Sequence, residues 1–192
     1  MATKKEQKEQ SRIRILDSAD QLFKKNGYVG TGIDSIMAEA GLTAGAFYSH
    51  FKSKEVLFSE VIDRSLRSST KIFFDGLEKY SGKKWLRKVV ERYLSKYHRD
   101  ELLYMCALPT LTIDISRSSE NVKLSFENIL IYIIDFMEKK VGKNTDVTRE
   151  RLYSVLSMCI SGIILSRSVS DQELSDKLLN SCLNETLNFI GE

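Results

Sequence analysis

Three observations predict an all-α fold for this sequence. Its 192 residues hold one proline and ten glycines, so the residues that break helices are scarce. Apolar side chains recur at three- and four-residue intervals almost throughout, the spacing that lines one face of a helix. No stretch carries the strict alternation of a half-buried strand. The length suits either one well-buried core or two compact units sharing a helix, and 42% hydrophobic with 29% charged residues is the balance of an ordinary soluble protein.

The first helix is predicted from about Glu9 to Lys25, with Ile15, Leu16, Ala19, Leu22 and Phe23 inward and Gly27 ending it. Ile33, Ile36, Met37 and Ala40 form the buried stripe of a short second helix, and Thr31, three residues before Asp34, is its candidate cap. Gly41 supplies the next turn, and Thr43 can cap a third helix from Ala44 to about Phe51. Ser53 can cap a long fourth helix reaching about Tyr80, with Leu57, Val61, Ile62, Leu66, Ile72 and Phe73 inward. Its position makes it the carrier of any signal between the two ends of the chain.

Helical spacing resumes after Ser81-Gly82 with Trp85, Leu86, Val89, Val90, Tyr93, Leu94 and Tyr97. The run from Glu101 to Thr112, which holds Cys106 and Pro109, reads as a helix start or kink. A long helix follows from about Ser119 to Lys140, then a loop at Gly142 to Thr145. From about Val147 to Ser168 apolar residues surround nearly the whole helix, with Ser154, Ser157, Ser161 and Gly162 interleaved, which requires burial on more than one side. Ser170 and Glu173 have capping-box spacing for a last helix carrying Leu174, Leu178, Leu179, Cys182, Leu183, Leu187 and Ile190. Two terminal helices with surplus apolar surface predict a four-helix bundle with a two-fold mate, the alternative being a monomer that covers both itself.

The informative stretch is Thr31 to Lys54. Two short helices joined at a glycine turn, the second opening Ala-Gly-Ala, have the form of a helix-turn-helix that seats its second helix in the major groove. Phe47 and Phe51, four residues apart, read as core. Tyr48 and His50 lie on other faces and have polar tips suited to phosphate, and Lys52 and Lys54 can reach the DNA backbone. Net charge is only +3, but the basic excess gathers at Lys4, Lys5, Lys8, Arg12 and Arg14, which reads either as a backbone-contacting arm or as a solvated terminus.

The run Leu22, Phe23, Gly27, Tyr28, Thr31, Ile33, Ile36, Ala40, Gly41, Leu42, Thr43, Gly45, Ala46, Phe47, Tyr48, His50, Phe51, Lys54, Glu55 and Leu57 resembles the TetR-type transcriptional regulators. It covers roughly the first third of the chain. Gly32 departs from it, standing where the family usually has a second threonine or a serine. The resemblance implies a helix-turn-helix DNA-binding domain over 1–55, a ligand-binding and dimerisation domain over 56–192, and the last two helices as the homodimer interface. It implies a double-stranded, palindromic DNA operator as partner, with recognition heads about 34–36 Å apart, and a small-molecule effector. Thr43, Ala44 and Gly45 are then expected at bases or backbone, Tyr48, His50 and Lys54 on phosphates, and Thr31 at the leading end of the preceding helix.

Candidates for the effector pocket are Trp85, Tyr93, Tyr97, Met105, Cys106, Phe126, Ile129 and Ile133, each of which is more readily explained by plain core packing. Few charges fall in those stripes, so the expected effector is apolar or aromatic. Cys106 beside Pro109 carries a second reading, an oxidant or electrophile sensor, although no cationic neighbour is visible in the sequence. A third, from another class, is a helical dimerisation module that binds no DNA. Cys106, Cys159 and Cys182 form no CxxC pair and no metal-ligand spacing with histidine, so free thiols, no metal and no cofactor are expected. No phosphate-binding glycine loop, zinc motif or nucleophile elbow points to an enzyme. Without a signal peptide or a run of about 18 apolar residues, the expected location is the cytoplasm, with no membrane partner.

Overall fold

A computed structural model describes residues 3–100 and 106–191, the side chain of Ile72 apart. The described residues form helices joined by short turns, in the order α1 (Lys4–Asn26), α2 (Ile33–Glu39), a 3₁₀ helix (Ala44–Ser49), α3 (Lys54–Phe74), α4 (Gly82–Tyr93), α5 (Lys96–Asp100), α6 (Ala107–Ser116), α7 (Glu120–Val141), α8 (Arg149–Arg167) and α9 (Gln172–Ile190). The all-α expectation holds, and no helix among the described residues is long and apolar enough to cross a membrane.

α1 buries Ile15, Leu16, Ala19 and Phe23, one stripe at helical spacing. It starts earlier than the sequence predicts because Thr3 and Glu6 form a reciprocal capping box ahead of the apolar stripe. Gly27 ends it with φ 73°, a left-handed conformation that a side chain resists. α2 lies across α1, and α3 packs along α1 through Leu57, Phe58 and Val61, where Phe58 meets Phe23 edge-on at 5.0 Å and Tyr28 at 4.6 Å. Ser53 caps α3 as expected, accepting from the Val56 amide. α3 ends at Phe74 rather than near Tyr80, and Gly76 beyond it takes φ 73°.

The distal half of α3 belongs to a second core. There Leu66 and Phe73 are buried with Val90 of α4, Leu111 of α6, Ile133 of α7 and Val155 of α8. Phe74 stacks on Phe136 at 4.9 Å and packs against Trp85 at 5.1 Å. α6 joins the two ends: it touches both α1 and α3, and Asp114 Oδ2 would lie 3.3 Å from a Cβ on Gly27. Pro109 sits in the first turn of α6, where its missing amide costs nothing, so it opens the helix without kinking it.

α8 and α9 pack together more extensively than any other pair of described elements. Asp171, not Ser170, caps α9 by accepting from the Leu174 amide, so the predicted capping box is shifted by one residue. Arg99 ties α5 to this pair, donating to Ser175 Oγ at 2.9 Å and to Asp176 at 2.7 Å. Gly162 is where the two helices come closest: a Cβ there would stand 2.6 Å from Cys182 Sγ and 2.8 Å from Leu94 Cδ2. Gly162→Ala is therefore expected to lower unfolding free energy by about 1–3 kcal/mol, read as a shift of the urea midpoint; an unchanged midpoint would show that the neighbours relax freely.

Candidate nucleic-acid interface and body cavity

The turn after α2 places one face of the 3₁₀ helix outward. Phe47 and Phe51 are buried, 5.9 Å apart, as their spacing predicts. Thr43, Ala44, Gly45 and Ser49 are exposed, and Tyr48 is 68% exposed with its ring edge-on to Phe47 at 5.2 Å. Nothing lies within 4 Å of a Cβ built on Gly45, so a surface can approach its backbone closely. The sequence predicts an α-helix here; the element is 3₁₀, with the Ala46 amide donating to Thr43 O and the His50 amide to Phe47 O. The i to i+3 pattern is the tighter one used in such short pieces.

Two of the seven predicted DNA contacts face inward. Thr31 is 1% exposed, and its hydroxyl donates to Gly27 O at 2.8 Å and Leu22 O at 3.1 Å. It does not cap α2, whose N-cap is Gly32 without a side-chain bond. Lys54 Nζ donates to Tyr28 O and Thr31 O, 2.9 Å each, and stands 4.2 Å from the Tyr28 ring centre. Burial pushes its pKa down. Two of its three N–H donors are thus spent on the turn between α1 and α2, and the sequence could not reveal this because the partners are backbone carbonyls 23 and 26 residues away. His50 is half-buried with Nδ1 lacking a partner, and burial first, then Lys8 and Arg12, hold its pKa down.

That last effect places the basic face of α1 beside the 3₁₀ helix. Arg12 lies 4.8 Å over the Phe51 ring and pairs with Glu60, and Arg14 Nη1 reaches 3.9 Å from a Cβ on Gly41. The basic cluster seen in the sequence is accordingly part of a helix flanking the exposed segment.

Of the predicted pocket residues, Tyr93, Cys106 and Ile133 line one cavity with Leu66, Ser69, Thr70, Phe73, Phe74, Val89, Val90, Leu108, Met137, Val155, Leu156 and Cys159. Its volume is about 40 Å³, room for about two or three waters. Trp85 and Ile129 are buried elsewhere in the core, Phe126 is half-buried outside the cavity, and Tyr97 is 64% exposed. Met105 lies outside the described residues. The α3 residues that wall the cavity went unpredicted because their apolar spacing equals that of plain core. Cys106 is buried, 3.8 Å from the Tyr93 hydroxyl, and burial pushes its thiol pKa up, which disfavours the reactive thiolate.

A second space, about 390 Å³, opens between α1 and α3 and is lined by Leu16, Asp17, Asp20, Gln21, Lys24, Val61, Arg64, Ser65, Ser68 and Ser69. The serines at 65, 68 and 69 interrupt the apolar stripe of α3, and that was the one sequence signal of it. Next to the cavity His98 is fully buried between Phe73 and Tyr93 rings, its Nδ1 2.6 Å from Tyr93 O and its Nε2 without a partner. With the Nδ1 proton on that carbonyl the ring is neutral, and burial holds its pKa at about 4.

A head of one long and two short helices presenting a helix-turn-helix, set on an all-helical body through the shared helix α3, defines the class. Residues 15–61 match the family model described as bacterial regulatory proteins, tetR family. A HTH-type transcriptional regulator encoded in the lacX 3' region of Lactococcus lactis, itself uncharacterised, is 27% identical over 133 residues, 68% of this chain and 66% of that protein. The chain spans between 53% and 66% of the length of the first curated relatives it matches. Among solved structures, a TetR transcriptional regulator from Chloroflexus aurantiacus superposes with a TM-score of 0.75 at 20% identity, covering 97% of this chain and 96% of that one. FadR from Bacillus subtilis, in complex with stearoyl-CoA, gives 0.65 at 19%, covering 93% and 96%. Residues 15–61 are thus similar to the DNA-binding segment of tetR-family regulators, and the chain as a whole shares the fold of the solved members.

Lys54→Ala is expected to lower stability by about 1.5–3 kcal/mol, the range for hydrogen bonds to a charged donor, and so to lower the thermal midpoint; a variant that melts with the wild type would return Lys54 to a purely surface role. Because His98 has a folded pKa near 4 against an ordinary 6.5, the unfolded chain takes up the extra proton as pH falls. Its contribution is intact above about pH 6.5 and is lost toward pH 4, so stability drops by about 2 kcal/mol between pH 7 and pH 5. Urea titrations at both pH values should show this drop in the wild type and a clearly smaller one in His98→Gln, where only His50, also held below its ordinary pKa, still contributes.

Proposed function

We propose that this protein is a homodimeric DNA-binding transcriptional regulator, a repressor that leaves a palindromic operator when a small apolar molecule enters the body. The observation that carries the reading is the outward face Thr43, Ala44, Gly45, Tyr48, held by Phe47 and Phe51 and flanked by the basic face of α1. Backbone and small side chains there approach base edges while Tyr48 and the α1 cations meet phosphates. Thr31 and Lys54 support the turn behind that face, a role different from the phosphate contact expected of Lys54 and from the place at the leading end of α2 expected of Thr31.

Pairing is proposed through α8 and α9. Leu165 is 54% and Leu174 45% exposed, and exposed Ser154, Ser157 and Ser161 on α8 let a partner helix come close. For the effector, the support is the apolar cavity on α3 together with the FadR likeness, whose stearoyl-CoA is a property of that protein. Sensing through Cys106 is disfavoured by its burial. Sites within the chain would lie where the protein meets DNA in the cytoplasm.

A gel-shift series with DNA from upstream of the protein's own gene tests this. A salt-sensitive shift is expected, with Tyr48→Phe weakening all sequences alike by about three- to tenfold and Gly45→Ser changing which sequence is preferred. No shift at low salt, or a monomer by sedimentation at micromolar protein, would refute the reading and favour a helical module without DNA.

A further inference from the structure

We infer that the effector is an amphiphile whose uncharged, hydrogen-bond-donating head lies in the cleft between α1 and α3 and whose apolar tail passes Ser69 into the body cavity. This rests on the effector reading above and names the chemical class that reading leaves open. Ser69 lines both spaces, the polar cleft of about 390 Å³ and the apolar cavity of about 40 Å³, so the two meet at one turn of α3.

The cleft carries two orphaned polar atoms. Ser65 is 5% exposed and its Oγ has no hydrogen-bond partner; Asp20 Oδ1 is likewise buried and unpartnered. A helical serine or threonine ordinarily bonds back to the carbonyl one turn earlier. Ser69 does so to Ser65 O at 2.8 Å and Thr70 to Leu66 O at 2.7 Å, but Ser65 does not. Buried polar atoms are otherwise almost always satisfied, so a pair left open in one cleft marks a place for a bonding group.

The type of head follows from what is left unspent. Asp20 Oδ2 pairs with Lys24 at 2.7 Å and Asp17 with Arg64 at 2.7 Å, two opposite-sign pairs that leave the lining without net charge for an ionic head. Asp20 Oδ1 can only accept, and Ser65 Oγ can do either, so the head must donate. Beyond Ser69 the wall becomes Leu66, Phe73, Val89 and Met137, which offers an alkyl tail contact but no hydrogen bond. The tail needs more than about 40 Å³, so these side chains move aside on binding; flexible Met137 is the readiest to do so.

Trp85 is the chain's single tryptophan and packs 5.1 Å from Phe74, a wall of the cavity, so its emission reports on the tail. Emission of the full-length protein is titrated with octanamide, 1-octanol, octyl methyl ether, octanoate and octylammonium, with the thermal midpoint as a second readout. Octanamide and 1-octanol are expected to bind about tenfold tighter than the other three. Ser65→Ala, which removes one oxygen without adding bulk, should cut that preference to about threefold or less while the unliganded thermal midpoint holds or rises, since an unsatisfied buried hydroxyl is lost. Equal affinity across the five probes, or a preference untouched by Ser65→Ala, overturns the head assignment and leaves an effector cavity standing. If no probe moves either the emission or the midpoint, the effector reading fails and this inference fails with it.

Discussion

One helix belongs to two cores, and the rest of the structure follows from that constraint. The first half of α3 is buried against Phe23 and Tyr28 through Leu57, Phe58 and Val61; its second half is buried against α4, α6, α7 and α8 through Leu66 and Phe73. A head of about fifty residues with three short helices buries too little apolar surface to be secure alone. Sharing α3 lets the head draw on the body's packing, and the same sharing makes the orientation of the head a property of the body.

The joint is held by polar groups as well as apolar ones. Lys54, the first residue of α3, gathers the carbonyls of Tyr28 and Thr31, and the Thr31 hydroxyl gathers those of Leu22 and Gly27. The carbonyls of Gly27, Tyr28 and Thr31 belong to the turn after α1, where no helix ladder satisfies them. Leaving them unpaired in a buried turn would cost about 1–3 kcal/mol each. Residues that look like ligands for an external anion are therefore spent on closing the turn. The face left to meet a partner is made of residues with small or rigid side chains, which lose little entropy when they are covered.

How much was legible in the sequence divides along the same physical line. Apolar periodicity is a local property, so the extents of α7 and α8 and the buried stripes of α1 and α3, though not the start of α1 or the end of α3, could be read, and Phe47 and Phe51 were separated from Tyr48 by spacing alone. The exposed segment Thr43 to Gly45 was legible because glycine and alanine at a helix start have no packing reason to be there. What failed depended on long-range partners or on geometry below one turn. Thr31 and Lys54 bond to carbonyls brought near only by the fold, the 3₁₀ form of residues 44–49 differs from α by one hydrogen-bond step, and the cap of α9 moved one residue to Asp171. Among the eight pocket candidates, spacing could not separate cavity wall from core, since both ask for the same apolar side chains. Tyr93, Cys106 and Ile133 face the cavity, whereas Trp85 and Ile129 do not.

The shared helix also decides how a molecule in the body could be felt at the head. Packed interiors are close to incompressible, so a tail entering a space of about 40 Å³ must displace a wall rather than compress it. The walls on α4, α7 and α8 are braced: Phe74, Trp85 and Phe136 lock α3, α4 and α7 at one end, and Arg167 binds the carbonyls of His98 and Arg99 at the other. The α1 side is different, because there α3 faces a cleft closed by the Asp17–Arg64 and Asp20–Lys24 pairs in place of interlocked apolar chains. The Asp17–Arg64 pair is about half exposed, and a pair of that kind contributes little and gives readily. Strain from the cavity is thus released where α3 meets α1, and α1 carries both the buried stripe of the head and the cations beside the 3₁₀ helix. In the proposed two-fold dimer paired through α8 and α9, a rotation there would be multiplied by the length of the helix and would turn one exposed 3₁₀ face relative to the other.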